Sequence, residues 1–251
     1  MTQTMQQESH RPRTALVTGS NKGIGYAIAQ GLGALGFRVG VGARDEERRN
    51  AAVAALQTAG VDAFAVPLDV TDDRSVRAAA TLVEQHAGGL DVLVNNAGIT
   101  GGMPQEPTRV DLDTIRTVVE TNVLGVIRVT NAMLPLLRRS PSPRIVNISS
   151  GVGSLARQSA SDGELSTGPI AVAYSTSKTF LNAVMLQYVR ELADTGILIN
   201  AACPGYVATD LNGFRGIRTP EEGAATAIRL ATLPDDGPTG GYFEDAGTIP
   251  W

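Results

Sequence analysis

The chain is poor in several residues that often announce a function. It has one cysteine, Cys203, so no disulfide can close within its 251 residues, and a reducing, cytoplasmic home is the expectation. It has two histidines, His10 and His86, which fall in no motif. No group of His, Cys or acidic residues has the spacing of metal ligands, so no metal is expected. Positive charge is not in excess: the formal net charge is −4, which removes the electrostatic case for nucleic acid. No apolar run approaches the ~18 residues of a membrane span, so no membrane partner is expected. The first stretch, MTQTMQQESHRPR, has no apolar core, which argues against a signal peptide. Lysine is scarce as well. Only two of the 21 basic residues are lysines, Lys22 and Lys178, so arginine serves almost everywhere that a positive charge is wanted. A compact ammonium is not interchangeable with a guanidinium, and both exceptions fall in motifs described below.

What the chain does have is an ordinary globular composition, 43% hydrophobic and 18% charged. Short β-branched runs alternate with longer helical patterns. The runs are TALVT (14–18), RVGVGA (38–43), DAFAVPLDV (62–70), LDVLVN (90–95), PRIVNISS (143–150), GILINAACPG (196–205) and GGYFED (240–245). All but the last are followed by a helical stretch. Asp45 and Gly60 are suited to start and stop the second helix. The runs are apolar on both faces, as a covered parallel sheet requires. The reading is α/β: a single-domain, Rossmann-type, doubly wound parallel sheet of about seven strands with helices on both faces. Residues 1–12 read as a polar, flexible tail and 13–251 as the domain. In such sheets ligands bind beyond the carboxyl ends of the strands, so the chemistry should lie there.

The first such end is VTGSNKGIGYAIA, residues 17–29. Its glycines, Gly19, Gly23 and Gly25, follow the pattern G-x-x-x-G-x-G rather than the commoner G-x-G-x-x-G. The loop joins a strand to a helix. Glycines there allow close backbone approach, and the helix N-terminus offers free amides to a pyrophosphate. Asp69 ends the third run, NNAG (95–98) the fourth and NISS (147–150) the fifth; YSTSK (174–178) and PGYVAT (204–209) follow. This set, in this order, resembles the short-chain dehydrogenase/reductase family over residues 13–245.

The resemblance implies a dinucleotide held by Gly19, Asn21, Lys22, Gly23, Ile24 and Gly25, with Asp69 and Val70 at the adenine and Asn96, Ala97 and Gly98 beside its ribose. NAD-using members end the second strand with an acid. Here that position holds Ala43 followed by Arg44, which leaves room for a 2′-phosphate that Arg44 and Lys22 can meet. The cofactor expected is therefore NADPH/NADP+. Asp45 is the dissenting neighbour and reads as the helix cap. Pro204, Gly205, Val207 and Thr209 resemble the segment that grips the nicotinamide, and Cys203 before them reads as packing.

Tyr174 and Lys178 are four residues apart, which places both on one face of a helix. An ammonium ~4 Å from a phenol, at an effective dielectric of ~20, is worth roughly 4 kcal/mol, or about three pKa units. Desolvation pushes the other way. The expectation is a net shift of the phenol towards working pH, where it serves as an acid–base catalyst. By resemblance, Tyr174 and Lys178 also touch the cofactor, and Ser150 binds the substrate oxygen, with Ser149 competing for that assignment. Asn122 resembles the helix asparagine that holds a water for proton relay to Lys178.

The motifs NKGIG, ARD, GGLDVLVNNAGI, CPGYVATD, PEEGA and GGYFEDAGTIPW resemble the NADPH-dependent carbonyl reductase branch. The implied reaction is reduction of a ketone or aldehyde, a small-molecule carbonyl substrate, to an alcohol. A non-catalytic dinucleotide sensor would be expected to have lost Tyr174 or Lys178. An NAD-using alcohol or steroid dehydrogenase is disfavoured by Ala43 and Arg44. Ser150 and Tyr174 are 24 residues apart, longer than the family's usual interval, and the excess is a polar Gly/Ser-rich stretch. That loop, 154–169, is expected to border the substrate pocket. The short segment between Pro204 and Pro220 implies little lid over it. Family members commonly pair as homo-oligomers, dimers or tetramers, through the helices carrying Asn122 and Tyr174. Monomeric carbonyl reductases cover that surface with a larger insertion, so oligomer and monomer both stay open.

Overall fold

A computed structural model of the chain describes residues 12–102, 105–161 and 169–251. The expected tail over 1–12 lies outside the described residues except for Pro12, as does the middle of the 154–169 loop. The sheet has eight strands: β1 (Thr14–Thr18), β2 (Arg38–Ala43), β3 (Ala63–Pro67), β4 (Val92–Asn95), β5 (Arg144–Ile148), β6 (Leu198–Ala202), β7 (Tyr242–Glu244) and β8 (Gly247–Thr248). Their order is β3-β2-β1-β4-β5-β6-β7-β8, and only the β7–β8 pair is antiparallel. The eighth strand, two residues long and folded back on β7, is the one departure from the seven expected. It is too short to carry a period-2 signal.

Eight helices accompany the strands among the described residues: α1 (Gly23–Ala34), α2 (Glu46–Thr58), α3 (Asp73–Ala87), α4 (Leu112–Val119), α5 (Gly125–Leu137), α6 (Leu155–Ser159), α7 (Val172–Glu191) and α8 (Pro220–Ala231). Alternation along β1 sends Ala15 and Val17 into a core shared with α1, α2 and α8, and Leu16 into a second core with α3, α5 and α7. The sheet is thus covered on both faces, as its strands require. Asp45 caps α2 by accepting the Arg48 amide at 2.9 Å, which is the role expected of it.

The strand order reverses between β1 and β4, and a crevice opens beyond their carboxyl ends. Buried Thr18 closes its floor. Its hydroxyl accepts the amides of Asn96 at 2.9 Å and Ala97 at 3.0 Å. Asn96 returns its side-chain amide to the carbonyls of Thr18 and Gly19. The glycine spacing follows from this contact. A Cβ on Gly25 would lie 2.4 Å from the Asn96 side chain and 2.5 Å from the Gly19 carbonyl, so the first turn of α1 can pack there only as glycine. Gly19 and Gly23 have positive φ, 65° and 56°.

Candidate active site

The crevice is a cleft of about 960 Å³. Its lining includes thirteen of the expected cofactor residues: Gly19, Asn21, Lys22, Gly23, Ile24 and Gly25 from the glycine loop, Arg44 after β2, Asp69 and Val70 after β3, Asn96, Ala97 and Gly98 after β4, and Thr209 after β6. No side chain caps the start of α1, and its first turn has no acidic residue, so the amides there face the cleft unclaimed. At one end Arg44 is exposed and makes no ion pair among the described residues. Arg48, which the sequence reading passed over, lines the same end from the first turn of α2. Its position four after Arg44 was the available signal. Asp45, the dissenting acid, is taken up by the α2 cap and by an ion pair with Arg48 at 3.6 Å. Lys22 pairs with Asp210 across the cleft at 3.2 Å. Glycines at positive φ, unclaimed helix amides and a cationic end fit a dinucleotide carrying an extra phosphate.

Asp69 supports that end by a different route. Burial alone would raise its carboxyl. Hydrogen bonds from the Thr71 hydroxyl (2.7 Å) and amide (2.9 Å), with Arg44 nearby, hold it below the usual carboxylate range instead. Pro204, Gly205, Val207, Tyr174 and Lys178 do not line the cleft. Val207 packs its side chain against Gly223 in α8. Buried Cys203 lies against the backbone of Gly151 and Gly205, and burial pushes its thiol up, so it packs as expected.

Beyond Gly98 the residues read as catalytic come together. Lys178 is buried and donates to the Ile148 carbonyl at the end of β5, at 2.7 Å. Its ammonium sits 5.7 Å from the centre of the Tyr174 ring. A Cβ on Gly98 would lie 3.2 Å from Asn122 Oδ1, tighter than ordinary contact, and 3.7 Å from that ammonium, so the β4 end passes directly beside it. Ser150 is the polar side chain that acts on the Tyr174 phenol. Ser149 turns the other way and donates to Asn182 Oδ1 at 2.7 Å, so the two serines have separate environments. The phenol is not depressed as expected. Burial pushes it up to about 12, with the Ser150 hydrogen bond opposing, while burial brings Lys178 down to about 8. Desolvation outweighs the ion–dipole attraction here, because the ammonium is aimed at a carbonyl and not at the phenol oxygen.

Asn122 is fully buried in a π-helical turn, Glu120–Leu124, between α4 and α5. Such turns are frequent at functional sites. Its side chain accepts the Ile99 amide at 2.9 Å and donates to the Ile99 carbonyl at 2.9 Å and Ser177 Oγ at 3.0 Å. It therefore fastens the β4 loop to α7. Gln105 does similar work that the sequence did not disclose. Helix α7 has no side-chain cap of its own, and Gln105 Oε1 accepts the Ala173 amide at 3.0 Å, one residue before Tyr174. The 154–169 loop begins not as loop but as α6, capped by Ser154, whose hydroxyl accepts the Arg157 amide at 3.1 Å. The middle of that loop, 162–168, expected to border the substrate pocket, lies outside the described residues. Among the described residues no helix is long and apolar enough to cross a membrane, and no cluster could hold a metal.

Comparison with known proteins agrees with this arrangement. The family model for short chain dehydrogenase matches residues 13–217. Carbonyl reductase [NADPH] 1 of Rattus norvegicus is 36% identical, covering 97% of this chain and 99% of that protein. Short-chain dehydrogenase/reductase 1 of Saponaria officinalis is also 36% identical, covering 92% and 93%. Among solved structures, NADPH-bound carbonyl reductase from chicken fatty liver superposes with a TM-score of 0.82 at 28% identity, covering 96% of this chain and all of that one. Salutaridine reductase from Papaver somniferum gives 0.81 at 31% identity, covering 93% and 99%. With a family model over most of its length and relatives 36% identical along nearly all of it, the chain belongs to the short-chain dehydrogenase/reductase family of oxidoreductases.

Proposed function

We propose that the protein is an NADPH-dependent reductase that converts a ketone or aldehyde to an alcohol. One observation carries this reading. Ser150, Tyr174 and Lys178 come together behind Gly98, a residue of the cleft wall, and the cleft presents Arg44 with no acid paired to it among the described residues. The printed names of the rat and chicken relatives, carbonyl reductases with NADPH, support the same chemistry.

Arg44, with Arg48 and Lys22, would hold the 2′-phosphate, the start of α1 the pyrophosphate, Asp69 and Val70 the adenine, and residues 204–209 the nicotinamide. The reduced nicotinamide, when bound, supplies the hydride to the carbonyl carbon. Tyr174 gives its phenolic proton to the carbonyl oxygen, and the Ser150 hydroxyl steadies that oxygen. A phenol held near 12 stays protonated across the working range, which suits an acid. Lys178 opposes the charge left on the phenolate, and it can do so only while it carries its proton, below about pH 8. Both side-chain amide hydrogens of Asn122 are taken by Ile99 and Ser177, which leaves its oxygens, side-chain and backbone, as the acceptors that would hold a water for relay to Lys178. A cytoplasmic location, where NADPH is kept reduced, suits this direction. Phe180 on α7 and Leu124 beside α5 are exposed, 47% and 39%, and leave a homo-oligomer as our reading of the assembly, which light scattering measures.

The test is a panel of ketones and aldehydes incubated with the protein and either NADPH or NADH, followed by cofactor absorbance. Turnover with NADPH, far above that with NADH, is expected. Binding of NADPH with no carbonyl reduced would favour a sensor, and equal use of both cofactors would remove the 2′-phosphate site.

A further inference from the structure

We propose that Tyr242, braced by Trp251, positions the Ser150 hydroxyl for proton transfer, acting as a strap on the segment that leaves β5. The inference rests on the role given to Ser150 above. Ser150 leaves the sheet in extended conformation, and its carbonyl is held by two donors. One is local, the Gly153 amide at 2.7 Å. The other is the Tyr242 hydroxyl, which arrives from β7, 92 residues later.

Tyr242 is 1% exposed, and its ring stacks on Trp251 with centroids 5.3 Å apart. The contacts continue down the chain. Ser154 donates to the Pro250 carbonyl at 2.5 Å, and the Ala156 amide donates to the Trp251 carbonyl at 2.9 Å. Arg157 grips both oxygens of Glu244, at 2.6 and 3.1 Å. Residues 150–157 are thus stitched to residues 242–251 at alternating points, and the first stitch is on Ser150 itself.

A buried ring that served only to pack would need no hydroxyl, since burying one costs free energy unless it is paired. Here it donates to the backbone of the residue that faces Tyr174, with the side chains of Ser149 and Asn182 also within its reach. Serine has a single heavy-atom rotor, so its oxygen follows its backbone. Misplacement of a reacting group by about 1 Å can cost on the order of a hundredfold in rate. None of the roles assigned to the cofactor or to proton transfer uses Tyr242 or Trp251.

Tyr242→Phe tests this, because it keeps the ring and its stack on Trp251 and removes only the donor. It should lower kcat about three- to tenfold while leaving the KM for NADPH within about twofold. In a Ser150→Ala background the same change should alter kcat by less than about twofold, because no hydroxyl is left to place. Equal losses in both backgrounds, or no loss in either, would overturn the proposal. Amide hydrogen exchange reads the strap without turnover. Gly153 and Ser154 should exchange faster in Tyr242→Phe, and unchanged protection would overturn the strap whatever the chain reduces. If the wild type reduces no carbonyl while those amides exchange faster, the proposed reaction fails and the strap stands.

Discussion

At the outer end of the cleft the side chains that would face a ligand are exposed: Lys22 and Asp210 have 48% and 52% of their side-chain surface in solvent, and Arg44 and Arg48 are exposed too. At the inner end Lys178 is 4% exposed, and Asn122, Ser149 and Ser177 are at most 1%. The outer end offers unclaimed backbone amides and exposed cations, of which Arg44 has no ion-pair partner among the described residues. The inner end is a lattice in which Lys178, Asn122, Ser149, Ser177 and Asn182 each bond another residue of the chain. A change at the outer end should therefore alter which cofactor binds. A change at the inner end should alter the rate, or the fold.

After Tyr174, the largest effect expected from this contrast is at Lys178. Lys178→Met should lower kcat by about two to three orders of magnitude, because the charge opposing the phenolate is gone. The wild type should lose the same charge by titration, so kcat/KM for reduction should fall as pH rises through about 8 and be flat below. A profile flat to pH 10 would separate Lys178 from the proton step. Next in size is Asn182→Leu, which removes the acceptor of the buried Ser149 hydroxyl and the side-chain donor to the Gly153 carbonyl. A cost of about 1–3 kcal/mol is expected, read as a fall in Tm of roughly 2–4 °C per kcal/mol.

The outer end was the more legible in the sequence, and the reason is physical. A loop that approaches a phosphate must be glycine at fixed spacing, and a 2′-phosphate needs a cation at one strand end, so Gly19, Gly23, Gly25 and Arg44 announce themselves locally. Tyr174 and Lys178 did so as well, because four residues make one helical face. What escaped was set by topology: Ser149 finds Asn182 33 residues away, Ser150 finds Tyr242 92 away, and Ala173 is capped by Gln105 from another loop. Spacing carries no trace of such pairs. The Tyr174 phenol went the opposite way from expectation because burial, which decides its pKa, belongs to the folded molecule and not to the Tyr-Lys interval. Arg48 was missed because its helix was read for its caps and its alanines, not for the side it turns to the cleft.

Two smaller effects sharpen the contrast from the outer side. Arg44→Ala should weaken NADPH about tenfold or more, as loss of a charge-assisted hydrogen bond would, and leave NADH nearly unchanged. Equal losses for both cofactors would show that Arg44 does not read the phosphate. Asp210→Asn should be the mildest change. It removes an exposed ion pair worth about 0.2–1 kcal/mol at most, so a Tm shift beyond a few degrees would mean that the pair does more than the outer end's open construction implies.

The central claim, that the exposed end binds and the buried end reacts, is tested most directly by one rapid-mixing measurement on Tyr174→Phe. The variant is first saturated with NADPH, with occupancy read by nucleotide fluorescence, and then mixed with a ketone that the wild type reduces. The account predicts NADPH affinity within about twofold of wild type and hydride transfer slowed by about a thousandfold. Transfer at a tenth of the wild-type rate or more, with the cofactor fully bound, would contradict it.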